Sequence, residues 1–96
     1  MKTREEVLRI LCDKKRSLEQ QFPLHRLALF GSYARDEQQE ASDVDILVDV
    51  DPSIGLEFVT LAESIEKMLG LPVDLISQRA IRPHHWKEIE SDLIDV

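Results

Sequence analysis

The fold of this chain is decided by residues 30–48, which read FGSYARDEQQEASDVDILV. A short apolar run leads into Gly31-Ser32, and two carboxylates one residue apart, Asp43 and Asp45, lead into the next apolar run. Glycine allows the backbone to approach a phosphate closely, and serine adds a hydroxyl and an amide at the same place. Paired carboxylates are ligands that suit a divalent cation. The stretch therefore predicts phosphate and metal sites in one loop, which indicates nucleotide chemistry.

Length and charge limit the class of protein. The chain has 96 residues, 19 of them acidic and 12 basic, so we expect one domain spanning residues 1–96. A formal net charge of −7 argues against direct nucleic-acid binding, which needs a basic footprint, and suits a basic protein partner. The longest uninterrupted apolar run, Leu27 to Phe30, is far too short to cross a membrane. With a single cysteine, Cys12, and no basic-then-apolar leader, the sequence predicts a cytoplasmic protein.

Apolar periodicity predicts the secondary structure. Helices are expected from about Arg4 to Gln21, from about Phe58 to Leu69 and from Pro83 to about Ser91, and strands at Leu27–Phe30, Ser42–Val50 and Val73–Ile76. Thr3 and Glu6 form a capping box before the first helix, and Gly70 is placed as the left-handed cap of the second. We expect a helical turn at Tyr33–Asp36 and an extended segment or docked tail at Leu93–Val96. The predicted fold class is α+β, with a short mixed β-sheet flanked by helices.

A third carboxylate joins the acidic pair. Side chains alternate along a strand, so Asp43 and Asp45 are neighbours on one face. Asp74 lies among aliphatic residues in the last predicted strand, where a buried acid would need a partner. A bare Asp-x-Asp motif is most simply a solvated strand face. The Gly-Ser turn that precedes it favours a metal site instead, and magnesium fits best because it shares its ligands with phosphates and water.

The compound motif resembles a known family. Gly31-Ser32, ten intervening residues and Asp43-Val44-Asp45 match the signature of the DNA polymerase beta-like nucleotidyltransferase superfamily. The short length, the Gly-Ser-Tyr-Ala-Arg start and the segment Pro72–Ile76 are similar to its minimal nucleotidyltransferases, the MNT antitoxins. The likeness covers about Leu27 to Ile76. One departure is Asp36, where these proteins usually carry glycine, and this raises a question about the local turn.

The resemblance implies a polymerase beta palm-like fold and a set of roles. Asp43 and Asp45 would ligate the magnesium ion that holds ATP, and with Asp74 they would hold a second, catalytic magnesium. Asp74 would also orient or deprotonate the acceptor hydroxyl. The resemblance also implies a set of nucleotide-binding candidates: Gly31, Ser32 and Arg35. For the arginine, contact with phosphate and a plain surface position remain equally open.

The resemblance also implies a partner. In this family the partner is commonly a HEPN ribonuclease toxin, and some members silence it by transferring AMP from ATP to a tyrosine hydroxyl. A chain of this size lacks a second domain to bind an acceptor, so the acceptor is expected to come from outside, in a hetero-oligomer. Other members neutralise the toxin by binding alone, and that alternative stays open here.

Other motifs favour less specific interpretations. In an aspartyl-nucleophile phosphatase the apolar strand precedes the acids, whereas here it follows them, and the glycine and terminal glutamate of a calcium loop are missing. His84 and His85 are adjacent, so they do not form a zinc-binding helical pair. With Trp86 they predict the start of an amphipathic helix, or else a partner-binding surface anchored by the tryptophan. The basic cluster Lys14–Arg16 is expected to face water.

Overall fold

A computed structural model describes residues 2–96 and places a four-stranded mixed sheet between helices. Along the chain the elements are α1 (Arg4–Gln21), β1 (Leu24–Phe30), α2 (Gly31–Ala34), β2 (Val44–Val50), α3 (Glu57–Leu69), β3 (Val73–Ser77), α4 (Pro83–Glu90) and β4 (Ile94–Asp95). Short 3-10 turns at Pro52–Ile54 and Gln78–Ala80 follow β2 and β3. The predicted α+β class with a short mixed sheet is confirmed.

The strand order is β3-β2-β1-β4. β1 runs antiparallel to β2 and to β4, while β2 and β3 are parallel and are connected through α3. A parallel connection requires a long crossover, and α3 provides it. This topology brings the amino ends of β2 and β3 together beside the carboxyl end of β1.

The main hydrophobic core lies on one face of the sheet. Alternate residues of β1 and β2 pack there against α1 and α3, and the fully buried ones include Leu27, Leu29, Val44, Ile46, Val48, Leu11, Leu18, Leu61 and Ile65. The apolar stripes of both helices are the ones that the sequence periodicity predicts. The opposite face carries a smaller cluster of Ala28, Phe30 and Leu47, against which Trp86 and Ile89 of α4 pack. One face is therefore closed by two helices, and the other is only partly covered.

Local capping interactions confirm two further predictions. The Thr3 hydroxyl accepts a hydrogen bond from the Glu6 amide at 3.1 Å, and the Glu6 carboxylate accepts one from the Thr3 amide at 3.0 Å. This reciprocal pair is the predicted capping box at the start of α1. Gly70 ends α3 in the left-handed conformation with a φ of 67°.

Several predicted boundaries are wrong. The strand β1 begins at Leu24, three residues early, because Leu24 pairs with Val50 across an irregularity in the ladder. The helical turn occupies Gly31–Ala34 instead of Tyr33–Asp36. β2 starts at Val44 instead of Ser42, because the Ser42 hydroxyl accepts a hydrogen bond from the Gln39 amide in a turn.

Two further boundaries and one expected surface residue differ from expectation. Helix α4 ends at Glu90, one residue before Ser91, and β3 continues to Ser77. The extended segment expected at Leu93–Val96 is confirmed, because Ile94–Asp95 form the strand β4, which pairs with the edge of β1. Lys15, expected to face water, is partly buried and donates a hydrogen bond to the backbone carbonyl of Val96 at 2.6 Å.

Within residues 2–96, no helix combines the length and the apolar content that crossing a membrane would require.

Asp36 occupies a position that favours glycine. It has a φ of 60°, and the other described residues with positive φ are all glycines. The Asp36 amide donates to the Tyr33 carbonyl at 3.2 Å and the Glu37 amide donates to the Ser32 carbonyl at 2.9 Å. These two bonds form a Schellman motif at the end of α2, in which the left-handed residue is usually glycine. Asp36 therefore keeps the turn that glycine would make, at some cost in backbone strain.

We expect Asp36→Gly to raise the free energy of unfolding by about 0.5 kcal/mol, since relief of the left-handed strain exceeds the added chain entropy. Urea unfolding of the two proteins measures this difference. Asp36→Val should lower the same free energy by about 1 kcal/mol or more, because a branched side chain tolerates positive φ poorly. A valine variant as stable as wild type would contradict the strain assignment.

Candidate active site

Two of the predicted carboxylates face each other across the parallel strands. Asp45 of β2 is the register partner of Asp74 of β3, so both side chains project from the same face of the sheet, away from the main core. Asp43 lies just before β2 and is exposed, as is Asp74. Asp45 is half-buried between them. A buried Asp74 would need a partner for its charge. Asp74 is not buried, so it needs none.

The electrostatics of Asp45 differ from those of an ordinary surface acid. Burial raises the pKa of Asp45, and the negative charges of Asp74 and Asp43 raise it further. The positive charge of Arg35 acts in the opposite direction and lowers this pKa. Three carboxylates therefore interact at one point of the sheet, an arrangement that a bound cation would stabilise.

The Gly-Ser turn is in direct contact with this acid. Phe30 pairs with Asp45 in the β1–β2 ladder, and Gly31 follows with a φ of 74°. A Cβ atom added to Gly31 would lie 2.1 Å from Asp45 Oδ2 and 2.9 Å from Asp45 Cγ. Only glycine leaves room for the carboxylate at this place. The two halves of the sequence motif, ten residues apart, thus form one continuous surface.

The other two nucleotide-binding candidates lie on the same turn. Ser32 is partly buried in α2, where its carbonyl accepts the hydrogen bond from Glu37. Arg35 follows α2, and its guanidinium Nε donates to Glu37 at 2.9 Å while NH1 donates to Asp92 at 2.5 Å. Arg35 is therefore already paired with two acids, although its charge still acts on Asp45.

Sequence reasoning missed Asp92. This acid lies between α4 and β4, 57 positions from Arg35, and no local motif connects the two. Its side chain is only 17% exposed. A solitary acid before a short edge strand carries no signal that would predict an ion pair with the arginine that follows the Gly-Ser turn.

The carboxylates suit a metal ion that is shared with a substrate. Among residues 2–96, no three His, Cys, Asp or Glu side chains converge closely enough to hold an ion by themselves. Mutual repulsion is a physical reason for such spacing. Magnesium usually takes one or two carboxylates and completes its octahedron with water and phosphate oxygens. The all-oxygen donor set of Asp43, Asp45 and Asp74 therefore fits magnesium bound together with a triphosphate.

A cleft adjoins these carboxylates on the same face. It has a volume of about 410 Å³ and lies between β3 and α4, with Ile76, Ile81 and Ile89 among its lining residues. Ile76 is two residues from Asp74, so the cleft begins within about 7 Å of that acid along the strand. On its rim His85 is exposed, whereas Trp86 packs inward with its ring centroid 6.0 Å from the Arg26 guanidinium. The predicted amphipathic start of α4 is confirmed, and a partner surface there stays a prediction.

The model of the family described as "Nucleotidyltransferase domain" matches residues 11–96. The chain belongs to the nucleotidyltransferase domain family. The predicted enzyme class, a nucleotidyltransferase, is thereby confirmed, and the Gly-Ser and Asp-x-Asp motifs lie within the matched region.

Two curated relatives are similar over the whole length of this nucleotidyltransferase. A candidate protein adenylyltransferase of Methanocaldococcus jannaschii is 48% identical over 101 residues, with 100% of both chains covered. The protein adenylyltransferase MntA of Thermococcus cleftensis is 40% identical over 98 residues, with 100% of this chain and 98% of the relative covered.

Solved structures show the same fold. A chain from a toxin–antitoxin complex with AMP-PNP has a TM-score of 0.71 at 26% identity, with 86% of this chain and 69% of that chain covered. A chain from the complex of a tri-AMPylated HEPN toxin with an MNT antitoxin of Shewanella oneidensis has a TM-score of 0.58 at 22% identity. That match covers 96% of this nucleotidyltransferase and 66% of the other chain. The resemblance to minimal nucleotidyltransferases is confirmed.

Replacing Gly31 with alanine tests the contact with Asp45. Gly31→Ala should abolish nucleotide transfer and weaken nucleotide binding, because the new methyl group displaces the Asp45 carboxylate. Gly70→Ala is the matched control, since Gly70 has a similar φ of 67° with nothing within 4 Å of its added Cβ. Both variants should lose about 1 kcal/mol of stability from left-handed strain. Equal nucleotide binding by the two variants, measured calorimetrically, would contradict the assigned contact.

Replacing Asp45 with asparagine tests the electrostatic strain. A raised pKa in the folded state means that the folded protein binds more protons than the unfolded chain, so Asp45 lowers stability as pH rises through its folded pKa. Asp45→Asn should therefore be more stable than wild type at neutral pH without divalent cations. The difference should shrink as pH falls toward the ordinary carboxyl value of 3.8.

Asp49→Asn is the control on the same strand and face. Asp49 accepts a hydrogen bond from Arg79 at 3.0 Å, so its neutralisation removes an attraction and should leave stability unchanged or slightly lower. Urea unfolding at about pH 7 and about pH 4 compares both variants with wild type. A destabilised Asp45→Asn protein at neutral pH would overturn the interpretation.

Proposed function

We propose that this nucleotidyltransferase uses magnesium to transfer AMP from ATP to a tyrosine hydroxyl of a partner HEPN ribonuclease toxin, and so acts as its antitoxin. The observation that carries the proposal is the half-buried Asp45, which is packed against Gly31 and flanked by Asp74 and Asp43. The names of the full-length relatives, protein adenylyltransferases at 40% and 48% identity, support a protein as the acceptor. The toxin–antitoxin complex with AMP-PNP supports an adenine nucleotide as substrate and a toxin as partner.

The candidate residues along this face of the sheet have different roles. Gly31 and Ser32 bind the terminal phosphates of ATP, because the glycine has no side chain to block the approach and the serine offers donors. Asp43 and Asp45 hold the nucleotide's magnesium, and with Asp74 a second ion. When bound, the two ions neutralise charge on the triphosphate and lower the pKa of the acceptor hydroxyl. Arg35 lies at the edge of the same turn and adds positive charge beside the phosphates.

Asp74 orients the acceptor. It is exposed at the side of the site away from Gly31, where a hydroxyl can approach opposite the leaving group. The acceptor oxygen forms a bond with the α-phosphorus as the bond from that phosphorus to the bridging oxygen breaks. Pyrophosphate leaves with the electron pair, and the hydroxyl proton passes to Asp74. The products are the adenylylated side chain and pyrophosphate.

In this proposal the partner supplies the acceptor. Residues 1–96 act as a single catalytic domain, and the acceptor side chain enters from a second protein in a hetero-oligomer. A formal net charge of −7 attracts a more basic partner and speeds the encounter. Both proteins act in the cytoplasm, and this antitoxin makes no direct contact with nucleic acid.

A binding-only antitoxin is the second candidate. Arg35 is paired with two acids, Glu37 and Asp92. This pairing favours a site that contributes to the shape and charge of a protein interface without turnover. In that case the complex alone would inhibit the toxin.

A transfer assay separates the two candidates. Incubation with α-labelled ATP, magnesium and a HEPN toxin from the same organism should label the toxin, and mass spectrometry should find the label on a tyrosine. Asp43→Asn combined with Asp45→Asn should reduce the labelling rate by roughly 100-fold or more, the scale of removing an electrostatic group from an active site. Toxin binding should persist in this variant. Complex formation without label in wild type would favour the binding-only candidate, and undiminished labelling by the variant would contradict the metal assignment.

A further inference from the structure

Arg35 lies where the phosphate turn meets the C-terminal segment. It directly follows α2, the turn that carries Gly31 and Ser32, and its amide donates to the Gly31 carbonyl at 3.1 Å. The backbone of Arg35 is therefore fixed relative to the phosphate turn. The direction of its long side chain is a separate matter, because it depends on what the guanidinium contacts.

Two carboxylates hold the guanidinium, and they differ in environment. Glu37 accepts from Nε at 2.9 Å, but its side chain is 63% exposed and close in sequence. Asp92 accepts from NH1 at 2.5 Å and is only 17% exposed. The Arg35 side chain is itself 47% exposed, but a short charge-assisted hydrogen bond to a largely buried carboxylate is more directional than an ion pair between two exposed side chains. Asp92 is thus the contact that determines where the guanidinium lies.

Asp92 is itself well fixed. Its amide donates to the Ile89 carbonyl at 3.0 Å at the end of α4, and β4 follows two residues later. Both neighbouring elements pack on the sheet: Ile89 joins the small cluster on the partly covered face, and Ile94 pairs with Leu29 of β1. The acid therefore has a rigid base on the same sheet that carries the site.

We propose that Asp92 is a positioning residue that holds the Arg35 guanidinium toward the triphosphate of a bound nucleotide. The inference rests on the proposed function, because it takes the phosphates to lie at Gly31-Ser32. The arginine guanidinium has five donors, and Glu37 and Asp92 accept from only Nε and NH1, so the remaining donors are available for a phosphate oxygen. Asp92 fixes the orientation of the Arg35 guanidinium before the nucleotide binds, so nucleotide binding costs less side-chain entropy.

The test is nucleotide binding, which does not depend on turnover. Calorimetric titration with AMP-PNP and magnesium should show about 10-fold weaker binding by Asp92→Asn than by wild type, the scale of one charge-assisted hydrogen bond. Asp95→Asn is the matched control. Asp95 lies in the same segment and also pairs with an arginine, Arg26 at 2.7 Å, but that arginine is remote from the phosphate turn. Binding by Asp95→Asn should stay within about 2-fold of wild type.

A double variant separates positioning from a structural role. In an Arg35→Ala background, Asp92→Asn should have no further effect on AMP-PNP binding, because Asp92 acts through the arginine. Asp92→Glu keeps the charge and should give an intermediate loss, and it remains available if the asparagine variant does not fold. Additive losses in the double variant, or binding by Asp92→Asn as tight as wild type, would overturn the positioning role. If wild type binds AMP-PNP and Asp92→Asn binds it equally well, only the positioning role fails. If wild type itself binds no AMP-PNP, the proposed function fails as well.

Discussion

The contact between the Asp45 carboxylate and the backbone of Gly31 is the constraint on which the site depends. It arises because β1 and β2 pair antiparallel with Phe30 opposite Asp45, so that the residue after Phe30 passes directly beside the acid. Any side chain at Gly31 would occupy the position of the carboxylate. The same packing partly buries Asp45 and raises its pKa, so the site is held together at an electrostatic cost. A cation and a nucleotide would relieve that cost when they bind.

The two faces of the sheet are covered to different extents, and this difference explains how the rest of the chain supports the contact between Asp45 and Gly31. Helices α1 and α3 fill one face with aliphatic side chains and fix the strands. The other face has only a small cluster beneath α4, which leaves the amino ends of β2 and β3 open. Most of the hydrophobic stabilisation thus comes from the closed face, and the open face can keep charged residues that do not improve stability. The candidate site therefore lies on the face of the sheet where packing is least complete.

The turn after α2 shows how one unusual residue can be retained. Asp36 adopts a left-handed conformation, which glycine adopts most easily, and the Schellman hydrogen bonds are nevertheless complete. Aspartate tolerates this conformation better than most residues. The turn therefore still brings Glu37 and Arg35 together, and the arginine reaches Asp92 from a fixed starting point. The departure from the family pattern changes the strain of the turn more than its shape.

The sequence by itself determined the elements and the spacing of the motif. Apolar periodicity, the Thr3 capping box and Gly70 are local signals, and each predicts its helix because helical hydrogen bonds join near neighbours. Tertiary structure decided what depends on distant pairing. The start of β1 at Leu24, the strand β4 and the bond from Lys15 to Val96 require partners many residues away. The register that sets Asp74 beside Asp45, and the ion pair of Asp92 with Arg35, are of the same kind. Strand pairing and long-range ion pairs leave no local pattern in the sequence. The sequence therefore predicts which acids belong to the motif, but only the folded sheet shows which of them lie side by side.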